Sequence, residues 1–271
     1  MANNVIGFKY ELLESIGRGS FGIVYKGKNI FTQENVAVKI EKNTAKKKIL
    51  KHETIICKHL NNIEGIPRVR WFGKEKDFLY TVYDLLGKDL VYYKTINGVF
   101  TDKNIDKIAN QLLTRLEIIH SKDILHRDLK PDNVLLDVNG LGKLFIIDFG
   151  LSKKFKVNGK HIVNKGKKNI VGSLNFCSIN NMLGDECSRR DDLISLGYIL
   201  MYLHLENLPW ENEENIEEIK KMKAIEDIKI SNNNLKKYLN YCYSLNFSER
   251  PDYKFLKSIF GYNGDIKFAQ I

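Results

Sequence analysis

The hydrophobic and polar positions change their spacing near residue 87. Before this point short β-rich segments predominate, separated by turns. Five of these segments are predicted to be strands: residues 10–16, 23–28, 35–40, 69–72 and 78–83. Between the third and the fourth, apolar residues at roughly helical spacing predict one helix over residues 50–60.

After residue 87 the pattern is mainly helical. Apolar side chains recur every three or four positions over residues 102–120, and Thr101 is placed to cap that helix. The remaining predicted elements are a strand at residues 144–147 and helices at residues 191–204, 216–224, 235–245 and 253–260. The pattern predicts an α+β fold with a β-rich lobe, residues 1–86, and a larger helical lobe, residues 87–271. No long linker separates the lobes, so we expect them to share a cleft.

Composition indicates an ordinary globular protein. Of the 271 residues, 43% are hydrophobic and 28% are charged, and the longest apolar run, residues 196–205, is too short to span a bilayer. The N-terminus lacks the features of a signal peptide, and the four cysteines show neither zinc spacing nor a disulfide framework. We therefore expect an intracellular monomer, cytoplasmic or nuclear, without membrane association.

The formal net charge of +10 suits nucleic acid, an anionic membrane or acidic proteins as partners. Basic residues are densest at positions 46–48 and 165–168, and no aromatic side chains are interleaved with either cluster as in nucleic-acid platforms. A solvated lysine-rich surface also explains the charge. We therefore expect no specific nucleic-acid partner.

A polar loop in the middle of the chain carries the strongest chemical signal. Residues 126–133 read His-Arg-Asp-Leu-Lys-Pro-Asp-Asn, and Pro131 prevents a continuous helix there. This string resembles the catalytic loop of protein kinases, which implies that Asp128 accepts a proton from a substrate hydroxyl and that Asn133 holds magnesium. Lys130, two residues after Asp128, could reach the transferred phosphate. Phosphoryl transfer depends mainly on positioning and charge neutralisation, so Asp128 needs no large pKa shift for this role.

A glycine-rich segment lies between the first two predicted strands. Residues 17–24 read Gly-Arg-Gly-Ser-Phe-Gly-Ile-Val. Gly17, Gly19 and Gly22 would let the backbone close over the phosphates of ATP, and Val24 offers an apolar wall for the base. A glycine-rich hairpin is also often a simple tight turn. A dinucleotide-binding fold would place a helix after the glycines, where this chain has a strand.

Two charged residues complement the glycine-rich segment. Lys39 lies on the third predicted strand, on the same face as Ala37, which could floor an adenine pocket. Glu53 on the predicted helix is the expected counter-ion and would let Lys39 bridge the α- and β-phosphates. Glu41 is a rival carboxylate, but it follows Lys39 too closely on the same strand to turn back onto it.

A second acidic motif, Asp148-Phe149-Gly150, follows the strand predicted at residues 144–147. A carboxylate at a strand end suits Mg²⁺, which prefers oxygen ligands, and Asn133 would add a neutral ligand. Three such residues alone would also suit a plain turn. Their order and distance after the loop at 126–133 favour the metal site.

In this order, the motifs resemble those of the eukaryotic protein kinases over about residues 10–260. Further strings resemble the casein kinase 1 family: Ser-Ile-Asn at 178–180 in place of the usual Ala-Pro-Glu, Ser-Arg-Arg-Asp-Asp-Leu at 188–193, Ser-Leu-Gly-Tyr at 195–198, Leu-Pro-Trp at 208–210, Gly-Ile-Pro at 65–67 and Leu-Leu-Gly at 85–87. The resemblance implies a bilobal kinase fold and a serine/threonine kinase that uses ATP and Mg²⁺ on acidic or phosphate-primed proteins.

The resemblance also implies roles for single residues. The backbone of Asp84 and Leu86 would bind the adenine, with Tyr83 as gatekeeper where the family usually has methionine. Arg189 and Lys223 match basic positions that bind a phosphate or acidic group on the substrate side. The apolar residues expected around the base are Ile16, Val24, Ala37, Leu135 and Ile147.

The chain departs from the family pattern in ways that bear on regulation. Asn175 stands where an arginine is expected, which predicts a weaker requirement for a phosphate-primed substrate, and Ile194 replaces a usual glutamate. Ser152 is the only hydroxyl residue between Leu151 and Gly172, too near the acidic motif for an ordinary activation-loop site. We therefore expect activity without phosphorylation of that loop.

Two rival hypotheses come from other functional classes. A pseudokinase would keep this fold as a scaffold that binds partners through its basic face, but the residues usually lost in pseudokinases are present: Lys39, Glu53, Asp128, Asn133 and Asp148. A basic nucleic-acid-binding module would explain the charge and leave the order of the motifs unexplained.

Overall fold

A computed structural model describes residues 5–19, 22–44, 48–139, 142–166, 168–224 and 230–261. Several residues of the sequence motifs lie outside the described residues: Ser20 and Phe21 of the glycine-rich segment, and Lys46, Lys47 and Lys167 of the basic clusters. Strands dominate the N-terminal part and helices the C-terminal part. The predicted bilobal α+β class is confirmed.

The N-terminal part is built on a six-stranded antiparallel sheet in the order β1-β2-β3-β4-β6-β5. Its strands are β1 (Val5–Ile6), β2 (Tyr10–Gly19), β3 (Gly22–Asn29), β4 (Asn35–Lys42), β5 (Val69–Glu75) and β6 (Phe78–Asp84). Alternation along β4 buries Val36 and Val38 on one face and leaves Ala37 and Lys39 on the other. The register of β4 on β6 sets Ala37 opposite Tyr83.

One helix, α1 (Ile49–His59), packs beside this sheet. The residue before it, Lys48, provides no side-chain cap. Instead the Glu41 carboxylate on β4 accepts hydrogen bonds from the backbone N–H groups of Ile49 at 3.2 Å and Leu50 at 3.1 Å. Because the first N–H groups of a helix lack partners within the helix, these bonds fix where α1 begins. Glu41 is thus engaged at the helix start and forms no ion pair with Lys39.

The C-terminal part consists mainly of helices packed around α5. The helices are α2 (Leu90–Asn97), α3 (Asp102–Ser121), α4 (Ile179–Met182), α5 (Arg189–His204), α6 (Ile216–Met222), α7 (Asn233–Ser244) and α8 (Tyr253–Ile259). Nearly all of α5 is buried, with α3 and α7 packed on it. Gly197 permits the close approach of α7, since a Cβ there would collide with Leu239. Among the described residues, no helix combines the length and hydropathy that a bilayer crossing needs.

Short strand pairs frame the polar segments singled out by the sequence. They are β7 (Ile124–Leu125) with β10 (Lys153–Lys154), β8 (Val134–Leu136) with β9 (Leu144–Ile146), and β11 (Lys156–Val157) with β12 (Lys160–His161). The loop at 126–133 therefore runs from β7 to β8, and Asp148 follows shortly after β9.

The pattern of hydrophobic residues predicted the long helices and missed the short helices α2 and α4. The Thr101 hydroxyl accepts a hydrogen bond from the Asn104 N–H, as predicted for the start of α3. In contrast, α2 was not predicted because only Leu90 and Lys94 are buried on it. A helix with so few buried positions carries no apolar stripe to detect.

Candidate active site

The backbone of the loop at 126–133 is held by a carboxylate from α5. His126 and Arg127 each donate a backbone N–H to Asp192 at 2.8 Å, and His120 Nε2 lies 2.9 Å from the same carboxylate. Burial opposes its charge, but these contacts keep the pKa of Asp192 below its ordinary value. Arg127 has a φ of 69°, an unfavourable conformation for a residue other than glycine, which the bonds to Asp192 compensate.

The Asp128 side chain is buried and contacts both its own loop and a distant segment. Its Oδ1 accepts hydrogen bonds from the Ser173 N–H at 3.0 Å and the Ser173 hydroxyl at 2.9 Å. Its Oδ2 lies 3.5 Å from Lys130 Nζ. Asn133 donates its side-chain amide to the Asp128 carbonyl at 2.9 Å. The structure thus brings together the three polar residues predicted from the loop.

Gly172 allows the distant segment to approach this loop. It has a φ of 86°, and a Cβ at this position would lie 2.5 Å from the Arg127 carbonyl oxygen and 3.2 Å from Asp128 Oδ1. Only glycine meets both the conformational and the steric requirement. Its small size therefore lets Ser173 reach the Asp128 carboxylate.

Lys39 lies between two carboxylates, one from each part of the molecule. Its Nζ is 2.7 Å from Glu53 Oε2 and 3.2 Å from Asp148 Oδ1. Burial opposes the charge of the ammonium, but Glu53 and Asp148 raise the pKa of Lys39 above its ordinary value. In turn, Lys39 outweighs the effect of burial and lowers the pKa of Asp148. The sequence-predicted pairing of Lys39 with Glu53 is present.

The acidic motif is anchored by the residue after Asp148. Phe149 is fully buried, and its ring centroid lies 4.9 Å from that of His126. Asp148 itself has a φ of 62° and accepts a hydrogen bond from the Gly150 N–H at 3.3 Å. His126 Nε2 also lies 2.9 Å from the Ile147 carbonyl. These contacts hold Asp148 at the end of its strand with its carboxylate toward Lys39.

A cleft of about 600 Å³ lies between the sheet and the helical part. Every residue predicted from the sequence to bind the nucleotide lines it: Ile16, Gly17, Gly19, Gly22, Val24, Ala37, Lys39, Asp84, Leu86, Leu135 and Asp148. Ile147 and the buried Tyr83 line it as well, next to Glu53 and Cys57. An apolar cavity with a few convergent charges is the usual form of a small-molecule site.

Asp84, the last residue of β6, is held by two arginines near the start of β5. Arg70 Nε contacts the Asp84 carboxylate at 2.5 Å, and Arg70 Nη1 contacts Glu34 at 2.7 Å. The Asp84 N–H donates to the Arg68 carbonyl at 3.2 Å. Because that N–H is engaged, it cannot donate to a base in the cleft. Asp84 and Leu86 both line the cleft.

The two basic residues expected on the substrate side lie in separate surroundings. Lys223 is fully buried: its ammonium donates to the carbonyls of Leu174 at 2.6 Å and Cys177 at 2.8 Å, and packs over the rings of Tyr198 and Trp210. A lysine enclosed in this way does not present its charge to a protein substrate, so the prediction for Lys223 is corrected.

Arg189, at the start of α5, is the other basic residue in that prediction. It donates to the Ser248 carbonyl at 2.7 Å and lies over the Phe155 ring, and it lines a smaller pocket that shares no lining residue with the cleft. The structure therefore does not bring Arg189 and Lys223 together into one anion site.

Two residues of the site were not identified as such from the sequence. Ser173 contacts the Asp128 carboxylate, and Asp192 holds the backbone before it. Both are more than forty positions away along the chain. Asp192 occurs in the family string at 188–193, but no local pattern reveals a contact across such a separation.

The oxygen ligands of this site suit magnesium bound together with phosphates. Among the described residues, no group of three or more His, Cys, Asp or Glu side chains could form a complete metal cage. Mg²⁺ usually takes one or two protein ligands and completes its shell with phosphate oxygens and water. The Asp148 carboxylate borders the cleft, and the Asn133 amide oxygen remains after its NH₂ group binds Asp128.

Most of the chain matches a known protein family. The family model described as "Protein kinase domain" matches residues 10–260. The match begins with β2 and ends just after α8, so it spans both parts of the molecule and the cleft between them.

Proposed function

The chain belongs to the protein kinase domain family, and we propose that it transfers the γ-phosphate of ATP to serine and threonine side chains of other proteins. In this proposal residues 1–86 and 87–271 act as the two lobes of one kinase domain. The observation that carries it is the meeting of Lys39, Glu53 and Asp148 in one cleft, beside the Asp128 loop.

Each of these residues has a chemical task that its position supports. Asp128 orients the substrate hydroxyl and accepts its proton, while Lys130 neutralises charge on the phosphate in transfer. Glu53 holds Lys39 so that the ammonium contacts the α- and β-phosphates. Asp148 and Asn133 would hold Mg²⁺, which supplies further neutralisation of phosphate charge.

We propose further that the chain is a casein kinase 1-type kinase acting on acidic or phosphate-primed proteins. The strings around residues 178–198 support the family assignment. Lys130, two positions after Asp128, supports serine/threonine specificity by resemblance. The net charge of +10 suits acidic partners. The buried position of Lys223 removes one cation expected to select them.

A scaffold without catalytic activity is the alternative from another functional class. The ionisable groups needed for transfer are present: Lys39, Glu53 and Asp148 meet in the cleft, and Asp128 and Lys130 are paired in the loop at 126–133. This favours an enzyme over a scaffold.

The direct test of activity is transfer of radiolabelled phosphate from ATP to casein. We expect label on serine and threonine with the wild-type chain, and a loss of at least about a hundredfold in Asp148→Asn, which removes a charged metal ligand. Absence of transfer to several acidic proteins would support the scaffold.

A further inference from the structure

A second pocket, of about 250 Å³, lies in the helical part. Residues of α3, β11, α5 and α8 form it together with Arg250, which precedes α8. Its lining residues are Glu117, His120, Ser121, Lys156, Arg189, Arg250 and Tyr253. None of them lines the nucleotide cleft, so the pocket is a separate feature of the molecule.

Arg189 is a buried cation in the lining of this pocket. It is only 8% exposed, yet within the described part of the chain its guanidinium forms no ion pair. One Nη donates to the Ser248 carbonyl at 2.7 Å, the group lies 4.8 Å from the Phe155 ring centroid, and its Nε has no hydrogen-bond partner among the described residues. Burial and the nearby Arg250 charge lower the pKa of Arg189. Burying an unpaired charge is unfavourable.

The other lining groups leave the pocket positively charged. Arg250 is exposed and, among the described residues, also has no carboxylate partner. Lys156 contacts Asp123 at 2.7 Å, outside the lining set.

The acidic and neutral lining groups are engaged elsewhere. Glu117, the one carboxylate in the lining, contacts Lys257 at 2.8 Å. His120 is held by Asp192 and by the Tyr253 hydroxyl, and the Ser121 hydroxyl donates to the Ile118 carbonyl.

We propose that this pocket binds a phosphate group, held by Arg189 from inside and by Arg250 and Lys156 from the rim. A guanidinium presents a planar fork of N–H donors that matches two phosphate oxygens, and a dianion would balance the buried charge. Both a free phosphate ion and a phosphorylated serine or threonine carry this chemistry. The proposal concerns a site apart from the nucleotide cleft and does not depend on the proposed kinase activity.

The test is a calorimetric titration of the chain with sodium phosphate, while a non-hydrolysable ATP analogue saturates the cleft. We expect one bound phosphate per chain. Arg250→Gln, at an exposed position where folding is preserved, should weaken this binding by about tenfold, the effect of losing one charge-assisted contact. Lys254→Gln is the matched control, because it removes the same charge from an exposed position on α8 outside the pocket.

The same titration with a phosphoserine peptide and its unphosphorylated form distinguishes the two sources. Tighter binding of the phosphopeptide than of phosphate would assign the site to a phosphoprotein, and equal affinities would assign it to the free ion. The proposal is overturned if no phosphate binds once the cleft is saturated, or if Arg250→Gln binds phosphate as tightly as the wild type and the Lys254→Gln control.

Discussion

At the scale of single residues, the position of a side chain can be predicted from the sequence when its own strand or helix determines that position. The alternation of β4 was enough to place Lys39 and Ala37 on the cleft side of the sheet. Lys223 could not be predicted in the same way, because its ammonium is held by the carbonyls of Leu174 and Cys177, which are 49 and 46 positions away along the chain. Family resemblance gave its position a role that its environment does not support.

The burial of Lys223 should be measurable as a pH dependence of stability. Burial lowers the pKa of Lys223 to about 8, whereas in the unfolded chain the group titrates near its ordinary value. Between these values the unfolded state binds more protons, so this group makes the folded protein more stable as the pH rises. The free energy of unfolding of the wild type, minus that of Lys223→Met, should rise by about 2–3 kcal/mol from about pH 7 to about pH 10.

Chemical denaturation at several pH values measures this difference. Lys236→Met, at an exposed position on α7, is the control and should show little pH dependence relative to the wild type. A difference between wild type and Lys223→Met that stays constant across the range would contradict the burial of this ammonium.

A second prediction at this scale concerns the position where the family has an arginine. The Asn175 carbonyl accepts a hydrogen bond from Trp210 Nε1 at 2.9 Å; this is a backbone contact, so changing the side chain need not disturb it. Asn175→Arg should increase the preference for a phosphate-primed peptide over its unprimed form by about tenfold, through one added charge-assisted contact. Ratios of kcat/KM for the two peptides measure this, with Asn175→Gln as the uncharged control. A wild type that already prefers the primed peptide as strongly as the arginine variant would refute it.

At the scale of elements, the first turn of α1 is capped by Glu41, a role that the sequence did not predict. Glu41 was weighed only as a partner for Lys39, yet it accepts from the first N–H groups of α1. Glu41 lies on β4, eight and nine positions before the two residues whose N–H groups it binds. No local capping pattern precedes the helix. The long helices were predictable from their apolar stripes, whereas this cap depends on how the strand and the helix meet.

Removing this cap should affect both stability and catalysis. Glu41→Ala should lower the free energy of unfolding by about 1 kcal/mol, the usual cost of losing a cap. It should also lower kcat, because α1 carries Glu53 and so positions Lys39. Glu11→Ala, at an exposed position on β2, is the control and should change neither. Denaturation and steady-state kinetics check both effects; a stable helix with full activity in Glu41→Ala would exclude the capping role.

At the scale of the whole molecule, the two parts are joined through the site itself. Lys39 on the sheet contacts Asp148 in the helical part at 3.2 Å, and His52 on α1 lies 2.9 Å from the Ser152 carbonyl. The Arg127 guanidinium donates to the Leu151 carbonyl at 2.7 Å. The Arg127 side chain is thus engaged by a backbone carbonyl of the chain itself.

This arrangement predicts activity without activation by another kinase. The chain produced in bacteria and treated with a phosphatase should keep the casein-phosphorylating activity of the mock-treated chain, because the contact of Arg127 requires no phosphate. Activity that appears only after incubation with a second kinase would contradict this prediction.

The most direct test of the central claim compares ATP binding with phosphate transfer in Asp128→Asn. The account predicts that calorimetry finds ATP affinity close to that of the wild type, because Asp128 does not line the cleft. Transfer to casein should fall by about 10²–10⁴, the usual contribution of a positioned base. Equal transfer by Asp128→Asn and the wild type, or no transfer by the wild type despite ATP binding, would contradict the assignment of this cleft as a kinase active site.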